Sequence, residues 1–160
     1  MGTRIHEALQ YSKPEILENN NERELYDKAV QYVKSFNLTE TKEELLLYIK
    51  DNKDEVLTFG TVDKIGIDPD GIYVAIDYKF GFNAVDEAAE NLQLAAYALA
   101  IMQTYNVEQV KVCICQPSLN HYSSYTFTDR HALYDVVYSI IQKAKAPGFT
   151  LKANKYCPVS

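Results

Sequence analysis

Two runs rich in β-branched and aromatic residues, Val56 to Ile67 and Ile72 to Lys79, meet at Asp68-Pro69-Asp70-Gly71. Proline presets the backbone for a turn, aspartate bonds back to its own main chain, and glycine accepts the left-handed conformation that closes the loop. The stretch therefore predicts a β-hairpin. With Pro69-Asp70-Gly71 as a three-residue loop, a type I turn closed by a left-handed glycine, paired residue numbers sum to 140 and Asp63 lies across from Asp77.

Cross-strand partners stand roughly 4.5–5.5 Å apart at Cβ, so two carboxylates there repel unless a positive charge lies between them. Lys79 follows Asp77 by two and points to the same face, while Ile76 and Tyr78 point to the other. Two acids and one ammonium converge on one spot. Taken alone they admit two readings, a solvated polar face or a site for a divalent cation.

The remaining elements follow in order. Ile5, Ala8 and Leu9 have helical spacing, with His6 beside their stripe as either a boundary residue or a ligand. Glu24 to Phe36 reads as an amphipathic helix through Leu25, Ala29, Val30, Val33 and Phe36. Thr39, or Thr41 with Glu44, reads as the cap of a second helix to about Lys50. After the hairpin, Phe80-Gly81-Phe82-Asn83 leaves as a loop that can approach a ligand at Gly81, and Asp86 to Tyr105 predicts a long helix. Its packing face is Leu92, Ala95, Ala96, Leu99 and Met102, while Gln93 and Tyr97 share another face. Val110 to Cys115 and Tyr122 to Thr128 read as strands. Asp129 caps a last helix to about Lys145, ended by Pro147-Gly148. This order predicts a single α/β domain over residues 1–160, a mixed central sheet flanked by helices on both sides.

His6, then Gly60-Thr61-Val62-Asp63, then Asp77-Tyr78-Lys79, then Gln93-Leu94-Ala95-Ala96-Tyr97 resembles the PD-(D/E)XK nuclease superfamily. Within it, the pattern is similar to the RecB-like branch, which includes phage exonucleases and CRISPR-associated RecB-type nucleases. The resemblance spans His6 to Tyr97 and implies a restriction-endonuclease-like core. It implies a metal held by His6, Asp63, Asp77 and the backbone carbonyl of Tyr78. Lys79 is then expected to polarise the attacking water and stabilise phosphate charge, and Gln93 and Tyr97 to orient the site and contact the DNA backbone. Glu7 is a lower-ranked alternative to His6. The implied activity is a metal-dependent deoxyribonuclease, an exonuclease first, that hydrolyses phosphodiester bonds without a covalent intermediate.

Mg²⁺ or Mn²⁺ suits these oxygen donors, and the imidazole tilts the set toward Mn²⁺. Cys113, Cys115 and Cys157 have no CxxC spacing, and only Cys157 stands where the branch carries cluster-binding cysteines, so no iron–sulfur cluster is expected. A formal charge of −6 argues against a broad basic DNA-gripping face. Lys143, Lys145, Lys152 and Lys155 are the candidate basic patch, although lysines at a helix end also complement its dipole. With no long apolar run and no basic-apolar leader, the expectation is a cytoplasmic protein that does not enter a membrane. DNA is the expected partner, with a protein subunit or a homo-oligomer as a further one. The domain reads as either whole or truncated at one or both ends, and truncation would remove DNA-guiding segments and leave a minimal core.

Two rivals remain at this stage. One is a catalytically inactive nuclease-fold module that binds protein or nucleic acid, since Tyr is 13 of 160 residues and tyrosine favours interfaces. The other is a metal-dependent enzyme acting on RNA or small phosphates.

Overall fold

The computed structural model describes residues 2–144. Two helices, α1 (Gly2–Tyr11) and α2 (Asn20–Lys34), precede three strands, β1 (Thr39–Lys50), β2 (Val56–Ile67) and β3 (Tyr73–Tyr78). Then come α3 (Leu92–Tyr105), β4 (Val110–Gln116), β5 (His121–Phe127) and α4 (Arg130–Ala144). The strands form one mixed sheet in the order β1-β2-β3-β4-β5, antiparallel except for the parallel pair β3 and β4. That parallel pair is what α3 makes possible, because parallel neighbours need a long crossover between them.

Period-two alternation sorts the sheet into two faces. Val74, Ile76, Tyr78, Cys113 and Cys115 face α1 and α2, where Ile5, Ala8, Leu25 and Ala29 complete one core. Ala75, Val110, Val112 and Ile114 face α3 and α4, meeting Leu94, Ala98, Leu99, Leu133 and Val137. The expected single α/β domain with helices on both sides is the architecture found. Docking α1 buries Ile5 fully, which contributes about 1.5–3 kcal/mol and fixes the adjacent His6.

The β2–β3 hairpin takes the expected turn. Gly71 has φ +81°, its N–H donates to Asp68 O at 2.9 Å, and Asp68 N–H donates to Ile72 O at 3.0 Å. The four ladder pairs from Ile67 with Tyr73 to Lys64 with Ile76 keep the register inferred from the sequence.

Three readings are corrected. Thr39–Lys50 is not a helix but the strand β1, paired with β2 along its length. Its leucines and the Thr-x-x-Glu cap pattern favour a helix locally, but Leu45, Leu47 and Ile49 turn into the core while Leu46 and Tyr48 stay exposed. Tertiary pairing overrides propensity here. The long helix starts at Leu92 rather than Asp86, because the Asn91 side chain accepts the N–H groups of Gln93 and Leu94 and so caps it there. Leu92 consequently falls outside the packing face and is 43% exposed. Lys145, Lys152, Lys155, Cys157 and Pro147-Gly148 lie outside the described residues.

Candidate functional site

The β2–β3 ladder stops at Lys64 and Ile76, one step before Asp63 would face Asp77. There the Asp63 side chain takes up a main-chain donor, and its Oδ2 accepts the N–H of Tyr78 at 2.8 Å. The same oxygen lies 3.5 Å from Nε2 of His6, and that nitrogen lies 3.1 Å from the carbonyl oxygen of Tyr78. α1, β2 and β3 thus bring three donor atoms together. The His6 ring is held by edge-on contacts with Phe80 and Tyr78, at centroid distances of 5.1 and 6.1 Å.

Asp77 and Lys79 share the other face of β3 with Ala75, by alternation. Nζ of Lys79 is 3.3 Å from the buried Oδ2 of Asp77, an ion pair inside the fold. Burial pushes the Asp77 carboxyl up to about 7, the Asp63 charge adds to the rise, and Lys79 and His6 oppose it. A parallel backbone bond from Lys79 N–H to Cys115 O at 2.9 Å carries the chain past the end of β3 and fixes the lysine's backbone.

On α3, Nε2 of Gln93 donates to the hydroxyl of Tyr97 at 3.0 Å, as the i, i+4 spacing implies. The Tyr97 ring lies over Gly60 of β2, where a Cβ would sit 3.2 Å from Cε1. Gly60, three residues before Asp63, is the cradle that lets α3 approach the site-bearing strand.

Sequence reasoning overlooked two glutamates of β1. Glu43 pairs with Lys64 at 2.6 Å. Glu44, with φ +50°, lines a narrow cleft with His6, Glu43, Asp63 and Tyr78. Burial and then the Asp63 charge raise the Glu44 carboxyl, while His6 opposes them. Reading this segment as a helix hid both residues. The lower-ranked Glu7 is exposed and does not line that cleft.

Among the described residues, no three His, Cys, Asp or Glu side chains form a cluster that would hold a metal ion as they stand. The donors at the meeting point are two side chains and a carbonyl, separated by 3.1 and 3.5 Å. Adjacent ligands of one octahedral ion with bonds near 2.1 Å are about 3.0 Å apart, so small rotations of these groups would admit Mg²⁺ or Mn²⁺. Ligation through Nε2 requires the His6 proton on Nδ1, and it replaces the bond to the Tyr78 carbonyl. Among the described residues, no helix is long and apolar enough to cross a membrane.

Residues 4–158 match the model of a family described as a protein of unknown function, DUF2800, and the chain belongs to that family. Among solved structures, one described as "Crystal structure of SSO0001" is similar at 11% identity with a TM-score of 0.42, over 92% of this chain and 73% of that chain. No curated protein matches.

Proposed function

We propose that this member of the DUF2800 family is a metal-dependent DNA nuclease, an exonuclease that hydrolyses phosphodiester bonds with Mg²⁺ or Mn²⁺. The observation that carries the reading is that Asp63 Oδ2 and Tyr78 O both lie within 3.5 Å of His6 Nε2, with the buried Asp77–Lys79 pair on the same strand. A bound divalent ion supplies Lewis-acid polarisation and makes water nucleophilic near neutral pH.

The chain's own groups do the rest. Lys79, anchored by its backbone and held by Asp77, keeps a fixed positive charge where negative charge builds on the phosphate. Asp63 keeps one oxygen on the Tyr78 N–H, which sets the direction of its carboxylate. Gln93 and Tyr97 hold each other and present an amide and a hydroxyl from α3 to the substrate backbone.

The test incubates the protein with end-labelled linear and closed circular DNA in Mn²⁺, Mg²⁺ or chelator, alongside Lys79→Ala. Metal-dependent loss of the linear substrate alone, absent in the variant, is the expected result, and cutting of the circle makes the enzyme an endonuclease. A folded protein that cuts neither substrate overturns the reading.

One observation favours a second reading, a catalytically inactive module of the same fold that binds protein or nucleic acid: the described residues hold no ready three-side-chain metal cluster. Such a module would show no saturable Mn²⁺ or Mg²⁺ binding.

A further inference from the structure

The loop after Lys79 carries Phe82 out into solvent, 68% exposed, although a phenylalanine in water forgoes the stabilisation its burial would bring. The backbone on both sides of it is fastened. Gln116, at the end of β4 and only 1% exposed, donates from Nε2 to the carbonyls of Gly81 at 3.2 Å and Asn83 at 2.8 Å. The Ser118 hydroxyl donates to the same Gly81 carbonyl. A buried amide thus clamps the residues immediately before and after an exposed aromatic ring, three positions beyond Lys79.

The charge of the protein says what such a ring can do at a site for nucleic acid. The chain carries a net −6, so its overall attraction to a phosphate backbone is weak. Stacking on a base face does not depend on that attraction and accepts any base. Inside a duplex both faces of each base are covered, so the open face belongs to an unpaired strand or a terminus.

We propose that Phe82 is a specificity-determining residue that stacks on a nucleobase of an unpaired DNA end and makes single-stranded ends the preferred substrate. The inference rests on the nuclease reading and adds the substrate class.

Binding is measured in chelator by fluorescence anisotropy with an Asp77→Asn protein, so the DNA stays intact. The probes are a labelled single-stranded oligonucleotide with 2-aminopurine at its terminus and closed circular duplex as competitor. Phe82→Ala is expected to bind the single strand about 5- to 150-fold more weakly, and Phe82→Trp to bind within about twofold of the parent. The parent should quench the 2-aminopurine, the alanine variant should not, and competition by the circle should be the same for all three. Equal binding by Phe82→Ala, an equal loss on the circle, or no binding of single strand by the parent overturns the proposal.

The two ideas fail separately. A wild type that cuts DNA, with Phe82→Ala binding like its parent, removes stacking and keeps the nuclease. Phe82-dependent binding without metal-dependent cutting removes hydrolysis and keeps stacking.

Discussion

Oδ2 of Asp77 and Nζ of Lys79 lie 3.3 Å apart with side chains only 7% and 6% exposed. Breaking such a pair costs more than the pair itself contributes, since the remaining charge is left in a poor solvent.

Asp77 carries a pH signature. Its folded pKa, about 7, lies above the ordinary value of 3.8, so the fold favours the protonated form and ionisation works against stability as pH rises between those values. The melting temperature of Asp77→Asn relative to wild type, without metal, should therefore climb from about pH 4 to 8. The slope is at most about 1.4 kcal/mol per pH unit. A difference that stays flat with pH rules out a raised Asp77.

Lys79→Ala leaves Asp77 buried without its counter-charge. The expected loss at pH 8 is about 3–5 kcal/mol, and adding Asp77→Asn to the same chain should recover most of it. Denaturant unfolding of the two single variants and the double variant measures the coupling, and strict additivity would show that the pair does not interact.

The proposed metal binding has a thermal readout independent of cleavage. A ligand that binds the folded state at 100 times its Kd stabilises it by about 2.7 kcal/mol, so Mn²⁺ should raise the wild-type melting temperature by several degrees. His6→Ala and Asp63→Asn should remove that rise, whereas Glu7→Gln should keep it. An unchanged shift in His6→Ala would take His6 out of the ligand set.

α1 is tied to α2 by Glu22, which is fully buried. Glu22 accepts the Glu18 N–H at 2.9 Å and Arg4 Nε at 2.9 Å. The Glu18 N–H is the largest cause holding its carboxyl below the ordinary 4.5, with Arg4 acting the same way and burial opposing. A depressed folded pKa contributes stability above the unfolded value, lost as pH falls through the folded one. Glu22→Gln should therefore be less stable than wild type at pH 7, with the gap narrowing in acid. Arg4→Ala should weaken Mn²⁺ binding at the proposed site only modestly, because Arg4 acts through the docking of α1 on Glu22 and touches no proposed ligand. Titration calorimetry checks this.

The hairpin was legible because its information is local. Asp68 to Gly71 fix the turn, the turn fixes the register, and the register brings Asp63 and Asp77 to one end of the ladder. Gln93 and Tyr97 were legible for a similar reason, since one helical turn dictates their contact. β1 was not legible, because its leucines are read by β2 and the core rather than by their neighbours in sequence. That error concealed Glu43 and Glu44. The role of Gln116 was equally invisible, since it depends on a loop more than thirty residues earlier folding back over the end of β4.

Glu40 and Glu44 interrupt β1 with left-handed backbone, φ +51° and +50°, in a strand of 12 residues that borders the sheet on its open side. A straight ribbon of that length, with Leu46 and Tyr48 exposed, would be a template onto which another molecule could add its own strand. The left-handed backbone at these two acids makes the first half of that edge irregular and puts charge on it, both of which disfavour strand addition. The irregularity that brings an acid to the cleft therefore also makes this edge a poorer template for self-association.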